Sequence, residues 1–240
     1  MEVPDLSVVM PCLNEEATVG QCVDDAFAFI ARRCLRGEVI VADNGSGDRS
    51  AAIAESHGAR VIREERKGYG YALRSGIAAA RGRVILMGDS DLTYDFLRMD
   101  GLYDPLAGGA YDMMIGDRFA GGLEKGAMPL SHRVGVKALS FFGRRRYHTD
   151  VRDFHCGLRG LTAGAAESLS FQTGGMEFAT EMIALAARAG LRIGQCPVSL
   201  RKCEMNRRSK LRPLPDGNRH LIYMIRPALL TADQQGGVKE

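Results

Sequence analysis

The stretch "RVILMGDSDLTYDF", residues 83–96, decides how the chain is read. Val84, Ile85, Leu86 and Met87 form an unbroken apolar run, which suits a strand buried on both faces, as in a parallel sheet. It ends at Gly88 and then at two aspartates one residue apart, Asp89 and Asp91. Alternate residues of an extended chain point to the same side, so strand geometry continued through Ser90 would aim both carboxylates the same way. Open parallel sheets bind ligands beyond the carboxyl ends of their strands, where the connections diverge. The pair stands at such a place.

Upstream, "LSVVM" (6–10) reads as a strand closed by Pro11, and "NEEATVGQCVDDAFAFIARR" as a helix with acidic residues in its first turn. "EVIVADNGSGD" is a strand running into turn chemistry, "DRSAAIAESHG" a short helix, "ARVIRE" a strand and "GYALRSGIAAARG" a helix. Alternating strands and helices predict right-handed β-α-β units and an α/β fold with a mostly parallel sheet. Downstream, "YDMMIGDRF", "DFHCGLRGLT" and "LRIGQCPVSLRK" hold strands. "LSHRVGVKALSFFGRRR" reads as an amphipathic helix with a basic end, "EFATEMIALAARAG" as a helix, and 204–218 as a mobile basic loop.

The 240 residues suit a single domain, and 45% hydrophobic with 25% charged residues is ordinary globular composition. A net charge of +3 is too small to point to nucleic acid. Basic residues cluster instead in "GRRRYH" (143–148) and "RKCEMNRRSKLR" (201–212). The first cluster is either a solvated helix end or a contact for anionic lipid headgroups. Six cysteines without CxxC spacing predict reduced thiols in a cytoplasmic protein rather than a disulfide framework or a zinc site. His132, His148, His155 and His220 show no metal-ligand spacing. No leader-like segment opens the sequence, and no run of about 18 apolar residues predicts a membrane span. The expected location is the cytoplasm, or peripherally the cytoplasmic membrane face.

Two unpaired carboxylates in one crevice repel, and a divalent cation relieves that repulsion. Oxygen-only ligands favour Mg²⁺ or Mn²⁺, which usually complete their shells with water and substrate phosphates. Asp89 and Asp91 therefore suggest a metal–diphosphate site, although an isolated Asp-x-Asp also reads as a solvated turn. The other strand ends are polar too: "PCLNEE", "ADNGSGD" and "EERKGYG". Asp43 suits a base edge, and Lys67 a phosphate that Gly68 and Gly70 would let the backbone approach.

The motifs "SVVMPCLNEE", "VIVADNGSGD", "KGYGYALRSGIAAARG", "GDSD", "GDRF", "DFHCGLRG", "GMEFATEM" and "RRSKLRPLPDG" occur in this order over about residues 6–222. In that order they resemble the family-2 inverting glycosyltransferases of GT-A fold, in particular the dolichol-phosphate mannosyltransferase and polyprenyl-phosphate glucosyltransferase branch. The resemblance implies a Rossmann-like central sheet flanked by helices in one domain over 1–225. Its nucleotide-sugar half would cover about 1–120 and its acceptor half 121–225, with a tail at 226–240. It implies that Pro11, Asn14, Glu15 and Asp43 hold the nucleoside, that Lys67 lies near the nucleotide, and that Asp89 and Asp91 serve ribose, metal and diphosphate. Arg118 would face the sugar or the acceptor phosphate, and Arg208, Ser209 and Lys210 would bind that phosphate. The chain departs from the pattern at Thr93, where some relatives place another metal ligand, and at Asp117, where many have a small residue.

The implied reaction is metal-dependent transfer of a hexose from a UDP- or GDP-sugar, with inversion, to a polyprenyl phosphate. A phosphate acceptor, with a second pKa of about 6, needs cationic positioning more than a base. A soluble hydroxyl acceptor is the alternative and would need a general base; Asp153 is the candidate for that base or for an orienting carboxylate, and otherwise a structural partner for Arg152 or Arg159. A dinucleotide oxidoreductase fits poorly, because Leu73 stands where "GYGYAL" would need its third glycine. A nucleotidyltransferase should be glycine-rich and basic after its first strand, whereas "PCLNEE" is acidic. A non-catalytic relative would have no use for Asp89, Asp91 and "RRSKL" together.

Overall fold

Strand β1 (Leu6–Cys12) is apolar on both faces because it lies between two partners, β2 (Gly37–Asp43) and β4 (Val84–Met87), both parallel to it. With β3 (Arg60–Arg63), β5 (Met113–Asp117), β6 (Arg159–Thr162) and β7 (Ile193–Pro197) they make a seven-stranded sheet of order β3-β2-β1-β4-β6-β5-β7. Only β6 runs against its neighbours. The structure is a computed structural model and describes residues 2–202 and 213–225. The acceptor-loop residues Arg208, Ser209 and Lys210 lie outside the described residues.

The helices are α1 (Val19–Arg32), α2 (Ser50–Ser56), α3 (Tyr69–Ala79), α4 (Asp100–Ala107), α5 (Arg118–Gly121), α6 (Leu130–Tyr147), α7 (Ala163–Ser168), α8 (Phe178–Arg188) and α9 (Pro213–Ile225). α1 buries Val19, Cys22, Val23, Ala26, Phe29 and Ile30, the three- and four-residue spacing of a single helix face. Its exposed end is tied to α4, where Arg33 reaches Asp100 and Asp104. The chain is a single α/β domain of GT-A type.

Several boundaries differ from the sequence expectation, each for a local reason. β1 passes through Pro11 to Cys12, which costs no hydrogen bond on the β4 side because β4 pairs only as far as Val9. α1 starts at Val19, so Glu15 and Glu16 precede the helix and shape a turn instead of lining its first turn. β5 stops at Asp117, whose carboxylate accepts from the amides of Phe119 and Ala120 and starts α5. The expected loop over 204–218 overlaps α9, which opens on Pro213, a residue suited to a first helical position.

The glycines of "KGYG" serve packing. A Cβ on Gly70 would meet Thr173 O at 2.7 Å and Gly174 C at 2.9 Å, while Gly70 N donates to Gly174 O at 2.9 Å. The amino end of α3 is thus occupied by the 173–175 backbone, which replaces the expected phosphate approach at Gly68 and Gly70. Gly70→Ala should destabilise the chain by about 1–3 kcal/mol, because the clash is with backbone. Gly164→Ala, where a Cβ meets nothing within 4 Å, should be neutral or slightly stabilising. Equal thermal melts for Gly70→Ala and wild type would contradict this packing.

Candidate active site

The carboxyl ends of the parallel strands and the amino end of β6 share one edge: Met87 of β4 lies opposite Arg159, and Cys12 of β1 opposite Asp43. The antiparallel course of β6 therefore carries Arg159 to the place where Asp89 follows β4.

The loops on this edge are stitched to one another. The Asn14 side-chain oxygen accepts from Gly47 N at 2.8 Å, Glu15 N donates to the Ser50 hydroxyl at 2.7 Å, and Asp43 accepts from Ser46 N at 3.2 Å. The Thr18 hydroxyl donates to Ser90 O at 2.8 Å, and the Ser90 hydroxyl to Pro11 O at 2.9 Å, holding the aspartate segment against the end of β1. Asn44 has no role in the sequence expectation, yet it joins two loops. Its amide donates to Glu64 O and Arg66 O, and its oxygen accepts from Gly68 N at 2.7 Å. Lys67 turns its ammonium onto the Asn44 and Gly45 carbonyls, at 3.0 Å each.

Strand geometry does not continue through Ser90. β4 stops at Met87, the chain bends, and Leu92 adopts a φ of 64°, so the two carboxylates end in different surroundings. Asp89 is half-buried beside the Tyr69 hydroxyl, which favours its charged form, with Arg118 and Arg159 as nearby cations. Asp91 accepts from the Thr93 amide at 3.1 Å and hydroxyl at 2.5 Å, so Thr93 braces that carboxylate. It also lines a cavity of about 780 Å³ together with Thr18, Gln21, Gly122, Glu124 and Arg201. Burial, and then the charge of Asp91, push the Asp89 carboxyl up to about 7.

Arg118 and Asp153 face each other in a buried two-pronged ion pair. Nε donates to Oδ2 at 2.6 Å and Nη2 to Oδ1 at 2.8 Å, with Asp153 fully buried. Asp153 is thus the partner of Arg118, not of Arg152 or Arg159. Arg159 donates instead to the carbonyls of Phe154, Cys156 and Ala179. Glu177 stands at the N-cap of α8 without capping it; Glu181 does more, accepting from Gln172 N, Thr173 N and the Thr173 hydroxyl. His155 packs edge-on against His220 at 4.3 Å between ring centroids. Tyr69 and Arg159 were missed as neighbours of Asp89, and the only sequence signal for either was its place inside "KGYG" or "GLRG".

A family profile for glycosyl transferase family 2 matches residues 7–169. The chain belongs to glycosyl transferase family 2. Among curated members, the low-salt glycan biosynthesis hexosyltransferase Agl6 of Haloferax volcanii is 40% identical over 92% of this chain, and the match spans 53% of that protein, about half its length. The dolichyl-phosphate hexose transferase of the same organism is 31% identical, with 89% of each chain covered. Among solved structures, glucosyl-3-phosphoglycerate synthase from Mycobacterium tuberculosis, in complex with Mn²⁺, UDP and glucosyl-3-phosphoglycerate, superposes with a TM-score of 0.70. It is 26% identical, and the match covers 92% of this chain and 80% of that one.

The raised Asp89 carboxyl gives a pH test. Folded, it holds its proton to about pH 7, against an ordinary 3.8. Its contribution to stability is therefore complete below about pH 4 and is lost as pH climbs through about 7. Melts of the chain in chelator should weaken across that window, and Asp89→Asn should flatten the trend. An unchanged slope in Asp89→Asn would remove Asp89 as its source.

Proposed function

We propose that this chain transfers a hexosyl group, with inversion, from a nucleoside-diphosphate sugar to a polyprenyl phosphate at the crevice edge of its sheet. The supporting observation is the Arg118–Asp153 pair: both oxygens of the candidate base accept from one guanidinium. A hydroxyl acceptor needs a free base, whereas a phosphate, largely dianionic near neutrality, needs cations to position it. Asp153 holds Arg118 by Nε and Nη2, which leaves Nη1 for an acceptor oxygen. Arg208, Ser209 and Lys210 are proposed as its further partners. The similarity to a dolichyl-phosphate hexose transferase supports the same acceptor class.

On the donor side, Pro11, Asn14, Glu15 and Asp43 are proposed to hold the nucleoside, with Lys67 near the nucleotide. Asp89 and Asp91 fit Mg²⁺ or Mn²⁺: their donors are oxygens, and the burial and Asp91 charge that raise the Asp89 carboxyl are what a divalent ion would offset. Among the described residues no group of three or more His, Cys, Asp or Glu side chains is placed to hold an ion, and a diphosphate and water would supply the ligands beyond Asp89 and Asp91. Bound there, the ion supplies Lewis-acid neutralisation of the departing diphosphate. Tyr69 fixes Asp89, Thr93 fixes Asp91, and Arg118 brings the acceptor oxygen to the face of the sugar opposite the leaving group. The UDP and Mn²⁺ in the solved relative support a uridine nucleotide as donor. Among the described residues Cys12, Cys22, Cys34, Cys156 and Cys196 are free thiols, which supports a reducing, cytoplasmic setting. A soluble phosphorylated acceptor is the second reading, favoured by the glucosyl-3-phosphoglycerate in that complex.

With Mn²⁺ present, UDP-hexoses should raise the melting temperature. At a hundredfold excess over Kd the stabilisation is about 2.7 kcal/mol. Asp91→Ala should lose both this shift and transfer to polyprenyl phosphate while its circular dichroism stays unchanged. Normal turnover in Asp91→Ala would end the donor-site assignment, and transfer to phosphoglycerate alone would select the soluble acceptor.

Asp153→Asn separates positioning from base catalysis. Breaking a buried pair costs about 3–5 kcal/mol, so lower stability and a raised KM for the phosphate acceptor should appear together. A stable variant that loses only kcat, with a shifted pH profile, would make Asp153 a base.

A further inference from the structure

Between α6 and β6 the chain crosses the crevice edge as Asp153, Phe154, His155, Cys156 and Gly157, and all but one of these are committed. Asp153 grips Arg118 through both of its oxygens. Phe154 N donates to the Ser140 hydroxyl of α6 at 3.2 Å, and its carbonyl accepts from Arg159 at 3.2 Å. The Cys156 carbonyl accepts from Arg159 Nε at 2.9 Å, and Gly157 N donates to the Tyr94 hydroxyl at 2.8 Å. A Cβ on Gly157 would lie 2.5 Å from Asp89 Oδ2, so the segment passes directly against that carboxylate. It thus touches the cation proposed for the acceptor at one end and a carboxylate proposed for the metal at the other.

The exception is His155. Among the described residues both of its ring nitrogens are buried without a hydrogen-bond partner, although a neutral imidazole carries one donor and one acceptor. Such atoms are rare in folded chains and cost free energy. Packing holds the ring instead: it stands edge-on to His220 of α9, with 4.3 Å between centroids and 88° between planes. His220 is itself backed by the Thr180 hydroxyl of α8, 2.8 Å from its Nδ1. The charged and titratable groups acting on His155 are His220 from α9, Arg118 from α5 and Arg159 from β6, while Asp153 Oδ1 accepts from its amide at 3.3 Å. A proton on the ring would stand near two guanidiniums and a second imidazole, away from water. Burial, and then His220, Arg118 and Arg159, hold the imidazole well below its ordinary 6.5.

We propose that His155 is a positioning residue: a neutral imidazole, lodged against His220, that fixes the 153–157 segment and so the aim of Arg118 at the acceptor phosphate. This role rests on the reading of Arg118 as the acceptor's cation. Asp153 sets the direction of the guanidinium, and His155 sets where Asp153 stands. The seat discriminates by charge, since a protonated ring carries two donors and is drawn out to water, which loosens the segment. Unseated, the ring titrates near 6.5; seated, it stays neutral to lower pH. Seating is therefore at full strength above about pH 6.5 and weakens about tenfold for each pH unit below it, until the seated pKa is reached.

The test compares the full-length wild type with His155→Phe, a ring that packs on His220 but takes no proton, and with His155→Gln, which lacks the ring. Amide hydrogen exchange over 153–157, corrected for its intrinsic pH dependence, should speed up in wild type about tenfold per pH unit below about 6.5. In His155→Phe it should stay flat, and in His155→Gln it should be fast at every pH. In kinetics with a short polyprenyl phosphate and the UDP-hexose that stabilises the chain, the KM for the phosphate should rise in wild type over the same window. His155→Phe should keep only the phosphate's own titration, and His155→Gln should raise that KM roughly fivefold near neutrality with kcat retained. The melting shift given by UDP with Mn²⁺ should be the same in all three, which keeps this test apart from that of the donor site. Equal pH dependence of exchange in wild type and His155→Phe would overturn the proposal. So would His155→Gln losing kcat at an unchanged KM, the mark of a group acting on the reacting atoms. The exchange comparison needs no turnover, so it decides the seating of the segment even where the kinetics go against the acceptor reading.

Discussion

Asp89 and Asp91 crowd negative charge onto the end of one buried strand, and much of the crevice is arranged around that cost. Burial, and then the charge of Asp91, raise the pKa of Asp89. The fold moderates the penalty without cancelling it. The Tyr69 hydroxyl at the start of α3 favours the charged form of Asp89, and Arg118 just after β5 and Arg159 on β6 contribute positive potential. Here the antiparallel strand matters: run the other way, β6 would carry Arg159 to the far edge of the sheet. What remains uncompensated is the part a substrate-borne cation can relieve.

The same economy governs the loops. Parallel strands end in separate turns, and nothing in sheet hydrogen bonding aligns one turn with the next. Side chains do so here: Asn44 clasps the loop after β3, the Ser90 and Thr18 hydroxyls bind the segment after β4 to that after β1, and Glu181 pins residues 172–173. Several groups proposed for ligand binding also take part in this stitching, Lys67 and the Asn14 side chain among them. A site held this way is pre-organised, because its loops need little further ordering when a ligand arrives.

The sequence disclosed the strand-and-helix alternation, the crevice edge and most polar residues along it, because apolar runs and their polar ends are local signals. It did not disclose what depends on pairing between distant segments. The direction of β6 is invisible in "GLRGLT", whose apolar content suits either sense. The role of Gly70 is set by a carbonyl more than a hundred residues away, at Gly174. Asp153 lies among arginines in the sequence, at 152 and 159, yet its partner is Arg118, which the end of β5 brings alongside. Thr93 and Asp117 looked like departures at the site, and each has a local occupation, bracing Asp91 and starting α5.

The crevice reads one part of an acceptor. Arg118, aligned by Asp153, suits a phosphate oxygen whether the phosphate ends a lipid or belongs to a small soluble acid; a guanidinium reads charge and geometry, not what lies behind them. Discrimination must then come from outside the reacting centre.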